Sequence, residues 1–134
     1  AHGRARDAAR PDELHFGPFL EMLRARRVPP LEGAQWSGIT TRLAERLLET
    51  GAVQGVVATA AQPDDRWAPR PVLVRRAADM AQCRGMKMGF SPVLALLEQA
   101  VDEGMTRVAI VGVPCQVHAL RAIERQLGLD ALYV

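Results

Sequence analysis

The run Arg107-Val-Ala-Ile-Val-Gly-Val-Pro-Cys115, continued by Gln-Val-His-Ala-Leu-Arg121, constrains this chain more than any other segment. Val108 to Val111 are uniformly apolar, the pattern of a strand covered on both faces. Gly112-Val-Pro ends that strand, and Pro114 suits the first turn of a helix, where its missing N–H is no loss. Val117, Leu120, Ile123 and Leu127 then recur at helical spacing, Gly128 stops the helix, and Leu132-Tyr-Val134 starts a further strand. Strand, helix and strand in this order predict a right-handed crossover in a parallel sheet. Its first corner sets Cys115 on the carboxyl rim of the sheet, where open α/β sheets bind ligands, and at the positive end of a helix dipole. Cys115 is therefore the first candidate for redox or cofactor chemistry, although a tight corner also suits cysteine as a small buried hydrophobe.

The rest of the chain reads as the remainder of such a fold. Val53 to Ala60 predicts a second fully covered strand, and Val72 to Arg75 a third, beyond a turn-rich excursion from Gln62 to Pro71. Ser37 is placed to cap a helix with Ile39, Leu43 and Leu47 on one face, ending at Gly51. Ser91 and Pro92 form a second cap and first turn, for a helix lined by Leu94, Leu97 and Val101. One helical turn is expected over Ala77 to Gln82, and Phe19, Leu20 and Leu23 suggest a short helix from Gly17 to Arg27, stopped by Pro29-Pro30. The class is α/β, with a mixed or mostly parallel sheet flanked by helices. Residues 1–30 are expected to be an irregular segment with a short helix, and residues 31–134 the α/β core. The missing initiator Met and the final strand-like residues are expected of a piece of a longer protein.

Composition removes several classes. Seventeen basic against fifteen acidic side chains leave a formal charge of +2, too little to make nucleic acid the default partner. Three Phe, two Trp and one Tyr make a poor base-stacking platform. No apolar run approaches the roughly 18 residues of a membrane span, so a cytoplasmic protein is expected. Cys83 and Cys115 are the only cysteines and form no CxxC pair, so they cannot alone hold an iron–sulfur cluster or a structural zinc. His2, His15 and His118 share no ligand spacing.

Smaller constellations are read against their plainer alternatives. Cys115-x5-Arg121 has the skeleton of a cysteine phosphatase loop, but Gln-Val-His-Ala-Leu offers no glycine to wrap an anion and already has helical spacing. Ser37-Gly-Ile-Thr-Thr41 can lend first-turn amides to a diphosphate or simply cap its helix. Lys87, between Gly85 and Gly89, either reaches an anionic ligand or is solvated. Trp36 and Trp67 read as packing anchors more readily than as cofactor walls. Arg24, Arg26 and Arg27 read as a solvated basic face.

Taken together, Glu32-Gly-Ala-Gln-Trp-Ser-Gly-Ile39, Pro63-Asp-Asp-Arg66, Pro69-Arg-Pro-Val-Leu73, Phe90-Ser-Pro92 and Gly112-Val-Pro-Cys-Gln-Val-His-Ala-Leu-Arg121 form an ordered series spanning nearly the whole chain. The series resembles the family of beta subunits of deazaflavin-reducing hydrogenases, and within it the ferredoxin-dependent chlorophyll-pathway branch of 8-vinyl and 7-hydroxymethyl reductases. The resemblance implies the central flavin-binding part of a larger iron–sulfur flavoprotein. It would carry FAD, with 4Fe-4S clusters held mostly by cysteines outside this chain, and would pass electrons from ferredoxin to a tetrapyrrole. The 8-vinyl group of divinyl chlorophyllide is the expected substrate. A deazaflavin-linked dehydrogenase or a hydroxymethyl reductase is the alternative, and a module that only docks ferredoxin, through Arg4, Arg6, Arg10 and the Arg24 cluster, is the alternative of another class. Self-association into a homo-oligomer is left open.

Carried over position by position, the resemblance sets Gln35, Trp36, Ser37, Gly38 and Thr40 near flavin, and Lys87 and Ser91 near its phosphate or ring. Pro114, Cys115 and Gln116 would lie near the redox centre, with Cys115 lining the flavin pocket or ligating a cluster. This chain departs from the pattern at Val93, where relatives carry Asn, at Ser37-Gly38, where they carry Thr-Gly, and at Pro114, where they carry Gly.

Overall fold

Strand β1, Gly55–Ala61, lies at the centre of the fold because it is buried on both sides. The computed structural model describes residues 5–7, 9–34, 36–65 and 67–134. Four strands form one sheet in the order β2-β1-β3-β4, with β2 at Pro69–Val74, β3 at Arg107–Ile110 and β4 at Ala131–Tyr133. β1 pairs antiparallel with β2, Val57 facing Leu73, and parallel with β3, Val57 facing Ile110. β3 pairs parallel with β4, Val108 facing Leu132, so the expected strand–helix–strand unit and the mixed, mostly parallel sheet are both present.

Alternation along β1 separates two apolar layers, since successive side chains point to opposite faces. Val56, Ala58 and Ala60 join Val74, Ala109 and Met80 beneath helix α2, Ile39–Glu49, and the 3-10 helix Ala77–Cys83. Val57 turns the other way, with Val108 and Ile110, against Val93, Leu97 and Leu120. Those last side chains come from the 3-10 turn Val93–Ala95, from helix α3, Leu96–Asp102, and from helix α4, Pro114–Ile123. Helices therefore cover both faces, which is why the central strands read as continuous apolar runs.

Three expected elements differ. The segment from Gly17 to Arg27 is not helical; helix α1 lies earlier, at Glu13–Phe16. Leu20 and Leu23 are 95% and 80% exposed, so the apolar positions there find no surface to bury against, and short helices need such packing. Arg10 stacks 4.3 Å over the Phe19 ring and donates to the Phe19 carbonyl at 3.0 Å, a tertiary arrangement that local spacing does not encode.

Helix α2 is capped by Gly38 rather than by Ser37, with Gly38 at φ +68, where glycine has no Cβ penalty. The Ser37 hydroxyl still accepts from the Ile39 amide, at a long 3.4 Å. The buried face of α2 is also rotated. Ala44 and Glu45 are buried and Leu47 and Leu48 pack on the core, while Leu43 is exposed.

Ser91 does not cap α3. The 3-10 turn Val93–Ala95 intervenes, and the Ser91 hydroxyl turns instead to Thr59, a partner far away in sequence.

Candidate functional site

Strand β3 ends at Ile110 opposite Val57, while β1 runs on to Ala61, and the Val111 amide donates to the Val57 carbonyl at 2.8 Å to extend the pairing past β3. Beyond this point Gly112 and Val113 leave the sheet and α4 begins. A cleft of about 370 Å³ opens at this edge. Its walls come from β1 at Thr59, from the start of α2 at Thr40 and Thr41, from the 84–92 loop at Lys87 and Ser91, and from the α4 corner at Cys115 and Gln116. An adjoining hollow of about 350 Å³ shares Thr40, Thr41, Cys83 and Gly85 with it and continues to Trp36, Ser37 and Gly38.

Gln116 organises the α4 corner. Its Oε1 accepts from the Val113 amide at 3.1 Å, satisfying one of the donors a helix start leaves free, while its Nε2 donates to the Ser91 carbonyl at 2.8 Å. One amide side chain thus ties the sheet edge to the loop that forms the opposite wall. Ser91 itself is buried, and Thr59 donates to its hydroxyl at 3.0 Å. Lys87 is half-buried, with Nζ donating to the Arg84 carbonyl, so the loop folds back on its own lysine.

Cys115 is exposed in the first turn of α4, which sets aside the buried-hydrophobe alternative. Cys83 is half-buried on the same cleft, and burial pushes its thiol up to about 11, against the opposing pull of Lys87 and Arg70. The first-turn amides of Thr40 and Thr41 have no intrahelical carbonyl to donate to and lie at the positive end of the eleven-residue α2.

The expected site residues therefore fall together along one continuous groove, with two qualifications. Gln35 lies outside the described residues, as do His2 and Arg4. Pro114 is exposed and starts α4, but does not face the cleft. Trp36 is no packing anchor: it is 95% exposed at φ +50 on the adjoining hollow, and Trp67 is exposed as well. The phosphatase skeleton is absent as a loop, since residues 114–123 are helical and Arg121 pairs with Glu124 at 2.7 Å.

Sequence reasoning missed Thr59 and Cys83 as wall residues. Thr59 had one signal, a lone hydroxyl inside an otherwise apolar strand. It also misread Arg27, which is not solvated: it donates to buried Glu45 at 2.8 Å, and Arg42 and Arg84 stand 3.5 and 4.0 Å from the same carboxylate. Among the described residues, no three His, Cys, Asp or Glu side chains converge as a metal site. No helix among them is long and apolar enough to cross a membrane.

Residues 22–115 match the model of the family described as coenzyme F420 hydrogenase/dehydrogenase, beta subunit, N-term. The chain is 44% identical over 99% of its length to 7-hydroxymethyl chlorophyll a reductase, chloroplastic, of Oryza sativa subsp. japonica, covering 28% of that protein. It is 35% identical over 72% of its length to a component of the F(420)H(2) dehydrogenase of Methanosarcina mazei, covering 27% of it. Among solved structures, a chain of the F420-reducing [NiFe] hydrogenase complex from Methanosarcina barkeri superimposes with a TM-score of 0.65 at 33% identity, over 70% of this chain and 32% of that one. The chain thus spans roughly a third or less of the length of these relatives.

Proposed function

This chain belongs to the family of coenzyme F420 hydrogenase/dehydrogenase beta subunits, and on that premise we propose that it is the flavin-holding part of a ferredoxin-dependent oxidoreductase acting on a tetrapyrrole. The observation that carries the reading is the convergence of Thr40, Lys87, Ser91, Cys115 and Gln116 on one cleft at the carboxyl edge of the sheet. These residues are scattered over the chain, and the sequence resemblance alone assigns each of them to the flavin or the redox centre.

The walls suit FAD in character. A volume of about 370 Å³, continued by the hollow beside Trp36, is within the range of small-molecule sites. Met80, Phe90 and Val111 give apolar contact for a planar ring. The free amides of Thr40 and Thr41 provide the kind of helix start that accepts a phosphate. When bound, the flavin would supply the step from single-electron donors to a two-electron reduction. The chain's own work is placement: Gln116 and Thr59 fix the Ser91 wall, Gly38 brings the α2 amides close, and Cys115 faces the groove as a wall or a cluster ligand. A 4Fe-4S cluster takes four ligands, whereas Cys83 and Cys115 are the two cysteines present, so the remaining ligands are assigned to the parent protein outside this chain.

For the substrate, the rice relative is named for 7-hydroxymethyl chlorophyll a, which supports the hydroxymethyl alternative over the 8-vinyl group. We accordingly put hydroxymethyl reduction first and vinyl reduction second. The M. mazei relative, named for F(420)H(2), supports a deazaflavin substrate as the remaining choice. Exposed Arg24 and Arg26 suit the acidic face of a ferredoxin. The cytoplasm is the proposed compartment, in contrast with the chloroplastic rice protein.

The test uses the full-length parent with reduced ferredoxin and, in parallel, 7-hydroxymethyl chlorophyll a, divinyl chlorophyllide and coenzyme F420. Turnover of the first is expected; turnover of F420 alone would replace the tetrapyrrole reading. Salt-sensitive ferredoxin binding with no turnover and no flavin would favour the docking module.

A further inference from the structure

Thr59 is the one polar side chain in β1, Gly55-Val-Val-Ala-Thr-Ala-Ala61. A valine has the same shape, and a hydroxyl drawn out of water has to be partnered. Its partner is Ser91, 7% exposed, whose Oγ accepts from Thr59 Oγ1 at 3.0 Å. A hydroxyl has one proton and two lone pairs. With Thr59 as the donor, the Ser91 proton is left over, and no acceptor for it occurs among the described residues. Both residues line the cleft. The Ser91 carbonyl is held by Gln116 Nε2 at 2.8 Å and by the Val93 amide at 2.9 Å, so its backbone is fixed from two sides.

We propose that Ser91 donates its hydroxyl proton to a ring-nitrogen or carbonyl acceptor on the edge of a bound heteroaromatic ring, and that Thr59 is the positioning residue that sets the direction of that donation. The inference rests on the flavin reading above and narrows it, assigning Ser91 to the ring and not to the phosphate. An isoalloxazine has such acceptors along one edge and gains electron density there on reduction, so a fixed donor favours the reduced form.

The experiment compares the full-length parent with its Thr59→Val, Thr59→Ser and Ser91→Ala variants. It reads the Kd for FAD by fluorescence quenching and the flavin midpoint potential by redox titration. Thr59→Val and Ser91→Ala are expected to weaken FAD binding about tenfold, the effect of losing one buried hydrogen bond, and to lower the midpoint potential. Thr59→Ser is expected to restore both. Wild-type Kd and potential in both hydroxyl-deleted variants would overturn the inference while leaving the flavin reading intact. A wild-type parent that binds no FAD would overturn both. Should Thr59→Val not fold, Ser91→Ala, which removes a single oxygen, decides on the same two readouts.

Discussion

Gln116 and Ser91, twenty-five positions apart, are joined by a hydrogen bond of 2.8 Å from Nε2 to the main-chain carbonyl, and that bond closes the cleft wall. The other end of the same amide accepts from the Val113 N–H at 3.1 Å. Gln116→Ala removes both bonds, a loss of about 2 kcal/mol at typical net values. Gln116→Glu keeps an acceptor for Val113 but sets a carboxylate against the Ser91 carbonyl. Limited proteolysis of the full-length parent should therefore cut the 84–92 loop faster in both variants, and in Glu at least as fast as in Ala. Wild-type cleavage rates in both would remove Gln116 from its role as the tie.

Glu45 predicts a separate effect on the other side of α2. Its buried carboxylate holds Arg27 at 2.8 Å, with Arg42 at 3.5 Å, and so fastens the segment before residue 30 to the core. Glu45→Ala leaves Arg27 without its carboxylate, while Arg42 keeps Glu49 at 2.7 Å, and should cost about 2 kcal/mol in denaturant unfolding. Exposed Arg24 and Arg26 should behave differently: replacing both with Glu should leave stability within about 0.5 kcal/mol while weakening ferredoxin binding most strongly at low salt. Equal stability losses for both sets would contradict this division.

What local sequence could and could not reveal follows the reach of the interactions. The α4 corner was legible because glycine, proline and a helical stripe sit next to one another, and β1 and β3 because burial on both faces makes them continuously apolar. The cap of α2 was misplaced by one residue, since Ser37 is a good cap by type, yet the αL turn at Gly38 brings the chain in at a different angle. Arg27 looked solvated because its partner Glu45 is on a helix eighteen residues away. Ser91 looked like a cap because its hydroxyl's true partner, Thr59, is thirty-two positions distant. Of the cleft wall, Thr40, Lys87, Ser91, Cys115 and Gln116 follow from the family resemblance, whereas Cys83 and Thr59 become neighbours of the cleft only through tertiary packing.

Cys83 carries a pH prediction. Burial raises its thiol from 9.0 to about 11, so the folded protein keeps this proton more tightly than the unfolded chain does. Native stability therefore falls as pH rises from 9.0 toward about 11. Alkylation of Cys83 by iodoacetamide in the parent, followed on the Cys83 peptide by mass spectrometry, should keep accelerating up to pH about 11. A rate that levels off near pH 9.0 would show an ordinary, unburied thiol.

The central claim is that the groove along the carboxyl edge of this sheet holds a flavin. The most direct measurement is the visible absorption spectrum of the full-length parent purified without air, followed by release and quantification of the chromophore. A flavin band with about one FAD per chain is predicted. A colourless protein that fails to quench the fluorescence of added FAD would contradict the account.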